Sequence, residues 1–172
     1  MELIEHKYVE ANGLKHHVAE IGSGSTVVLF LHGFPEIWYT WRYQMVAVAK
    51  AGYRAIAPDF RGYGLCDKPP VHEDTTFSVL VNDLPLILDA MNMEKVFVIG
   101  QDFGAMVAYK FVLEHPDRVL GVATLGVPFI PGPFTSHKTL PEGFYVSRWN
   151  EPGRAEEDFG SVKTSGTDAD VR

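Results

Sequence analysis

The chain has 172 residues, of which 46% are hydrophobic and 22% charged, an ordinary composition for a globular domain. Its length allows one domain with a sizeable core, because a chain of this size buries roughly 70% of the surface that it exposes when unfolded. Its formal net charge of −7 would repel a phosphate backbone or an anionic lipid surface, which argues against nucleic acid and membrane partners.

Strands and helices alternate along the first three quarters of the sequence. Each predicted strand is a short apolar run, and each predicted helix has apolar residues at helical spacing. In chain order these elements are a hairpin over 7–21 that turns at Asn12-Gly13, a strand at 26–31, a helix at 38–51, a strand at 53–57, a helix at 77–91, a strand at 95–99, a helix from the following turn to about residue 114, and a strand at 119–127. The pattern predicts an α/β fold with a mostly parallel sheet and an N-terminal antiparallel hairpin. Pro85 is awkward inside the second helix, because an interior proline costs about 3 kcal/mol.

Nothing in the sequence indicates a secretory or membrane destination. The first ten residues mix charges and contain no apolar segment of the kind found in signal peptides. No apolar run approaches the ~20 residues that span a bilayer, and the last three residues are not a peroxisomal signal. The single cysteine, Cys66, excludes an internal disulfide and permits a reducing compartment. We therefore expect a cytoplasmic protein.

A short turn bounded by Gly100 and Gly104 lies between the third core strand and the helix that follows. This is the place of the nucleophile elbow, the sharp strand-to-helix turn of α/β-hydrolases. A Cβ at either glycine would crowd the helix against the strand. The central residue, Asp102, would stand at a helix N-terminus, where the helix dipole favours a negative charge. The alternative is that Asp102 only caps the helix, which aspartate does well.

The residue type at the centre of this turn limits the chemistry. A carboxylate cannot usefully attack an ester carbonyl, because its adduct collapses back to the starting groups. It can displace a leaving group from saturated carbon, which gives an alkyl-enzyme ester. Asp102 therefore predicts epoxide opening or dehalogenation rather than ester or peptide hydrolysis.

A second loop, His32-Gly33-Phe34-Pro35, favours a catalytic role for the aspartate over a capping role. The loop directly follows a core strand, and in this fold it supplies one N–H to an oxyanion hole, while the residue after the nucleophile supplies the other. The donors would be Phe34 and Phe103, and His32, Gly33 and Pro35 would shape the loop. We also hypothesise that the Phe34–Pro35 bond is cis, although cis is the minority state for such bonds.

The segment Asp59-Phe-Arg-Gly-Tyr-Gly64 follows the next strand and is rich in turn residues. We predict a structural role for it, in which Asp59 and Arg61 tie down loops by charge-assisted hydrogen bonds. No catalytic part is assigned to this segment.

Five motifs stand in a defined order: HGFPE at 32–36, the segment 38–42, PDFRGYG at 58–64, GQDFGA at 100–105 and HPDRV at 115–119. Together they resemble the soluble epoxide hydrolases, especially those of plants, over about residues 1–160. The resemblance implies the α/β-hydrolase fold, with residues 1–128 as the N-terminal part of the core and 129–160 as the start of a helical cap (lid) domain. Residues 161–172 diverge from the family and are predicted to be a disordered tail.

The resemblance implies that a small hydrophobic epoxide is hydrolysed to a vicinal diol without a metal or a cofactor. Tyr145, six positions before the turn that begins at Glu151, falls on the first of two cap tyrosines that polarise the epoxide oxygen. A phenol with a pKa of about 10 can protonate the alkoxide that ring opening creates. The alternative is that Tyr145 is a packing residue at a domain interface.

Three residues depart from the family pattern: Gln101 replaces a common histidine, Cys66 stands where serine is usual, and Phe103 replaces the commoner tryptophan. The sequence does not predict the effect of Gln101 or Cys66. Phe103 has no indole N–H to hold a departing halide, and the first loop reads HGFP rather than the halide-binding HGN. Epoxide opening is therefore favoured over the activity of a haloalkane or haloacid dehalogenase.

The resemblance also indicates which catalytic parts are missing. In this fold the nucleophile is followed along the chain by an acid and then a histidine, and the family places both beyond the cap. His115 and His137 follow Asp102, but neither has the right position. We therefore expect an incomplete fold, truncated at its C-terminus, that is inactive or at best alkylated slowly in a single turnover. A further alternative is a non-catalytic α/β-hydrolase fragment.

Overall fold

A computed structural model describes residues 4–70, 76–129, 144–149, 151 and 153–160 of the chain. The chain divides into two compact units, Met1–Phe129 and Ile130–Arg172. The predicted tail at 161–172 and the proline-rich start of the predicted cap at 130–143, which includes His137, lie outside the described residues.

The first unit is built on one six-stranded sheet with helices on both faces. The strands are β1 (Glu5–Ala11), β2 (Leu14–Ile21), β3 (Val27–Leu31), β4 (Arg54–Pro58), β5 (Val96–Gln101) and β6 (Val119–Leu125), and the helices are α1 (Arg42–Lys50), α2 (Phe77–Ala90) and α3 (Phe103–Glu114). In the second unit the described helices are α4 (Tyr145–Trp149) and α5 (Arg154–Gly160). No helix in the described part of the chain is long and apolar enough to cross a membrane.

The strand order is β1-β2-β4-β3-β5-β6. The β1–β2 and β2–β4 pairs are antiparallel, whereas β3 pairs in parallel with β4 and β5, and β5 pairs in parallel with β6. The hairpin turns where Asn12 and Gly13 both have positive φ, 50° and 74°, which matches the twist of two-residue hairpins. The predicted mostly parallel sheet with an antiparallel N-terminal hairpin is therefore confirmed.

The core lies on both faces of the sheet, as the continuous apolar sequence of β3 predicts. Leu29 and Leu31 belong to a cluster that packs the sheet against α2 and α3. Val28 and Phe30 belong to a second cluster, which packs the other face against Met45 of α1. All five residues of β3 are buried. The loop that directly follows this strand contributes to the candidate site.

The structure differs from the predicted elements mainly at their ends. The predicted helix at 38–51 begins with a 3₁₀ turn, Trp38–Trp41, before α1 starts. The predicted strand at 119–127 ends at Leu125, because Gly126 adopts a positive φ of 83°. Pro85 lies inside α2, which continues through it, with Leu84 and Ile87 buried in the core on either side.

Candidate active site

The predicted nucleophile turn is a sharp bend between β5 and α3. Asp102 lies at the bend with φ 51° and ψ −124°, a backbone conformation that residues other than glycine seldom adopt. A Cβ on Gly100 would lie 2.4 Å from the carbonyl oxygen of Gly104, and a Cβ on Gly104 would lie 2.2 Å from the carbonyl oxygen of Leu31. Both positions therefore require glycine, as the sequence predicts.

The carboxylate of Asp102 is bonded to the loop after β3 rather than to its own helix. Its side chain makes no capping hydrogen bond to α3. Instead, the backbone N–H of Phe34 donates to its Oδ1 atom over 3.0 Å. The interpretation of Asp102 as a helix cap is therefore wrong, and the aspartate and one predicted oxyanion donor are in direct contact.

The loop after β3 is held by the buried side chain of His32. Its Nδ1–H donates to the carbonyl oxygen of Gly33 over 2.8 Å, and its Nε2 accepts from the N–H of Phe60 over 3.0 Å. This pattern needs the neutral imidazole, and burial lowers the pKa of His32 below its ordinary value of 6.5. The Phe34–Pro35 bond is cis, which confirms that hypothesis.

Phe103, the second predicted oxyanion donor, is the first residue of α3. Its ring centroid lies 5.7 Å from that of Phe34 and 5.7 Å from that of Phe77 at the start of α2. The structure thus places both predicted donor residues beside Asp102. The use of the Phe103 N–H as an oxyanion donor stays a prediction.

A cleft of about 650 Å³ opens next to this site. Its lining includes Gly33 and Phe103, which lie next to Asp102, and Phe77 and Leu80 from the first turn of α2. The apolar lining consists of Phe60, Tyr63, Pro69, Pro70, Phe77, Leu80 and Phe103, and the cations Arg61 and Lys68 also border it. Burial raises the pKa of Tyr63, and the negative charge of Asp102 raises it further. The mostly apolar wall suits a small hydrophobic ligand.

Two residues to which the sequence assigned no role complete the site. Glu36 forms a reciprocal pair with Gly33: its Oε2 accepts from the Gly33 N–H over 3.1 Å, and its own N–H donates to the Gly33 carbonyl over 3.2 Å. Gln101 donates from Nε2 to the same Glu36 oxygen over 2.5 Å. The pairing of Glu36 with Gly33 could have been predicted, because a glutamate three residues after a loop glycine can bond back to the backbone of that glycine. Nothing in the sequence indicates that Gln101 meets a residue 65 positions away.

The segment that follows β4 has the structural role that the sequence predicts. Buried Asp59 accepts from the N–H groups of Trp38 and Leu65 over 2.8 and 3.1 Å, and contacts His17 Nδ1 at 2.8 Å. Arg61 donates twice to the carboxylate of Asp83 in α2. These bonds tie the loop after β4 to the hairpin and to α2, and residues of the same loop line the cleft.

Cys66, one of the departures from the family pattern, is a buried free thiol near this loop. Its Sγ lies 3.5 Å from Nδ1 of His16. Burial raises its pKa to about 11, so the thiol stays protonated at neutral pH. The structure therefore indicates that Cys66 is a packing residue and not a reactive thiol.

Tyr145 is the first residue of α4 and belongs to the second unit. Its half-buried ring packs against the rings of Phe144 and Trp149, with centroid distances of 4.8 and 4.9 Å. These contacts agree with the packing interpretation, and its role as an acid stays a prediction.

His115 does not approach the nucleophile. It follows α3, whose 12 residues place it roughly 18 Å along the helix from Asp102. Among the described residues, no group of three or more histidine, cysteine, aspartate or glutamate side chains is placed to hold a metal ion.

Comparisons with known proteins agree with this fold. The family model of the α/β hydrolase fold matches residues 26–165. Epoxide hydrolase 3 of Siraitia grosvenorii is 46% identical over 171 residues, which are 96% of this chain and 54% of that protein. Bifunctional epoxide hydrolase 2 of Sus scrofa is 38% identical over 159 residues, which are 89% of this chain and 28% of that protein.

Solved structures show the same likeness. The crystal structure of an epoxide hydrolase from Vigna radiata matches with a TM-score of 0.85 and 42% identity, over 92% of this chain and 53% of that one. Epoxide hydrolase I of potato (Solanum tuberosum) matches with a TM-score of 0.84 and 41% identity, over 93% and 53% of the two chains. The present chain spans about half the length of the plant relatives that it matches. By its fold and by the family model that covers most of its sequence, the chain belongs to the α/β-hydrolase fold family.

Proposed function

We propose that this chain carries the nucleophile of an epoxide hydrolase, which converts a small hydrophobic epoxide to a vicinal diol. The observation that carries the proposal is the carboxylate of Asp102, raised on a strained bend and bonded to the N–H of Phe34. Because the plant relatives that are named epoxide hydrolases are about twice as long, the activity is proposed for the family to which this half belongs. A cytoplasmic location remains part of the proposal.

The hydrogen bond from Phe34 distinguishes the two oxygens of the nucleophile. Since Phe34 holds Oδ1, we assign Oδ2 as the atom that attacks the less hindered carbon of the epoxide. The new bond joins Oδ2 to that carbon, the carbon–oxygen bond of the ring breaks, and the ring oxygen takes up the electron pair and a proton. Oδ1 becomes the carbonyl oxygen of the ester.

The second step is attack of water on the carbonyl carbon of this ester. Negative charge then develops on Oδ1, which already lies against the N–H of Phe34, with the N–H of Phe103 as the second donor. The tetrahedral intermediate collapses by expelling the alkoxide, which is protonated and leaves as the diol. The base that would activate this water is not among the residues that the sequence assigns to the site.

The proton for the ring oxygen is assigned to Tyr145, which the family resemblance places on the first acid tyrosine. A phenol remains neutral near pH 7 and can still donate to an alkoxide, which is much more basic. The structure describes Tyr145 in the second unit, so this assignment is supported by the motif that surrounds the residue and not by a distance to Asp102.

Dehalogenation is the less favoured use of the same nucleophile. Phe103 presents no N–H from its side chain to a leaving halide, and the relatives at 46% and 38% identity are named epoxide hydrolases. Halide release from a haloalkane would support this alternative.

The test is covalent labelling of the protein by styrene oxide. The intact mass should rise by one epoxide, and peptide mapping should place the adduct on Asp102. The variant Asp102→Asn should not be labelled, whereas Asp117→Asn, which alters an exposed aspartate beyond α3, should be labelled like the parent protein. An adduct that persists in Asp102→Asn, or no adduct in the parent, would overturn the assignment of the nucleophile. Release of many diols per chain would mean that a residue of this chain activates the water of the second step.

A further inference from the structure

The peptide group between Gly33 and Phe34 is the part of the loop that contacts the nucleophile. Its N–H, on Phe34, donates to Asp102, and its carbonyl oxygen, on Gly33, points the opposite way because the peptide is planar and trans. Whatever fixes the carbonyl therefore also aims the N–H. Two donors meet that carbonyl: the Nδ1–H of His32 at 2.8 Å and the backbone N–H of Glu36 at 3.2 Å.

The preceding N–H of Gly33 is held as well, by the carboxylate of Glu36. Glu36 is half-buried, and its carboxylate also accepts the short bond from Gln101. Gly33 itself is buried against the nucleophile, so closely that a Cβ on it would lie 2.7 Å from the Cβ of Asp102. A small rotation of Glu36 would therefore be transmitted to the Gly33 backbone and to the peptide that follows it.

We propose that Gln101 is a positioning residue, which acts through Glu36 to keep the Phe34 N–H aimed at Asp102. Gln101 immediately precedes Asp102, so its bond to Glu36 ties the last residue of β5 to the loop after β3. The nucleophile and its oxyanion donor are thereby joined twice, once directly between Phe34 and Asp102 and once through Glu36. This inference rests on the proposed function only for its catalytic consequence, because the contact network exists without any substrate.

The chemistry of an amide fits this position. The ionisable groups near the contact are Glu36 itself, Asp102, and the buried imidazole of His32. Two carboxylates lie close to Gln101, and its amide donates to one of them without adding a charge or titrating. The bond therefore needs no change of charge at position 101, whereas a histidine there would change its charge near neutral pH.

The first measurement needs no variant, because the chain contains only two glutamines, Gln44 and Gln101. Gln44 is exposed on α1 and serves as the internal reference. In ¹H–¹⁵N spectra of the whole protein, one side-chain amide proton of Gln101 should lie downfield of both side-chain amide protons of Gln44, because it donates to a carboxylate. In Glu36→Gln this downfield shift should shrink, whereas the amide protons of Gln44 should not move. A Gln101 amide that behaves like Gln44 in the parent protein would overturn the proposal.

The second measurement follows hydrogen exchange at the Phe34 amide. Loss of the bond to Glu36 in Gln101→Ala should accelerate this exchange about tenfold, the effect of one hydrogen bond to a charged group. Gln101→Glu should accelerate it further by repulsion, Gln101→His should restore most of the protection through its ring N–H, and Gln44→Ala should leave it unchanged. Unchanged exchange in a folded Gln101→Ala protein would show that Glu36 alone holds the loop. If styrene oxide fails to label Asp102 while the Phe34 amide still responds to Gln101, the proposed function fails and the positioning role stands.

Discussion

The two edges of the sheet are built in different ways. At one edge β1 has three charged residues, Glu5, Lys7 and Glu10, and Lys7 contacts Glu20 of the next strand at 2.9 Å. At the other edge β6 has no charged residue, and it exposes Leu120, Val122 and Leu125 by 49%, 44% and 54%. Among the described residues β6 pairs only with β5, and no charged side chain of β6 opposes pairing at its outer edge.

The interior behind each edge shows the same contrast. Among the described residues, six of the seven buried polar side chains lie in the hairpin or in segments that contact it, namely His16, His17, Glu20, Asp59, Arg61 and Asp83, and the seventh, His32, follows the central strand β3. Behind β6 an open groove of about 370 Å³ is lined mainly by apolar residues, including Val28, Phe97 and Val122. The hairpin side is therefore specified by bonds between particular polar atoms, whereas the β6 side has the composition of a strand that is covered on both faces.

The largest expected effect tests the polar side. In Asp59→Ala, two backbone N–H groups and the imidazole of His17 lose their acceptor, and the free energy of unfolding should fall by about 3–5 kcal/mol. Urea unfolding measures the change. Asp117→Asn, at an exposed site, should alter stability by less than about 0.5 kcal/mol. A loss below about 1 kcal/mol in Asp59→Ala would mean that the polar network is dispensable and the contrast is only one of composition.

A smaller effect is expected on lowering the pH. Burial lowers the pKa values of His16 and His32 below 6.5, so the unfolded chain binds these protons before the folded chain does. Their stabilising contribution is complete above pH 6.5 and is lost as the pH falls below it, at up to about 1.4 kcal/mol per pH unit for each histidine.

A second phase of the same titration belongs to Asp59. Burial raises its pKa, but the bonds from His17, Trp38 and Leu65 outweigh burial and leave the pKa below 3.8. Its contribution is therefore present above pH 3.8 and is lost at lower pH. Urea unfolding at a series of pH values tests both phases, and His16→Asn should reduce the slope of the first. A free energy of unfolding that stays constant from pH 7 to pH 5 would contradict the neutral state assigned to these histidines.

The smallest effect on stability is expected at the β6 edge. Val122→Lys places a charge on an exposed position and should change the free energy of unfolding by less than about 0.5 kcal/mol. It should nevertheless reduce self-association, measured by light scattering at rising protein concentration, because a lysine on an edge strand opposes pairing with another chain. The reciprocal change, Glu5→Val on β1, should increase self-association. Equal scattering from both variants would mean that the charged residues of β1 and the apolar residues of β6 do not affect self-association differently.

The features predicted from the sequence depend on short stretches of chain. The glycines of the nucleophile turn, the apolar run of β3 and the Asn12-Gly13 turn each impose a local conformation whatever surrounds them. The contact between Gln101 and Glu36 was not predicted, because it depends on the side-by-side arrangement of β3 and β5. The helix at 77–91 was predicted with Pro85 inside it and is confirmed, but the sequence did not show what offsets the proline, since the penalty of a proline is local and the burial of its neighbours Leu84 and Ile87 is not.

By itself, the sequence determined the order of strands and helices, the sharp turn and the presence of a carboxylate on it, because these follow from backbone preferences and from residue type. Only the tertiary structure decided that this carboxylate serves the loop after β3 rather than its own helix. It also decided that Gln101, Glu36 and His32 converge on one peptide group. Such contacts join residues that are distant in the chain, and their geometry is created when parallel strands end at the same edge of the sheet.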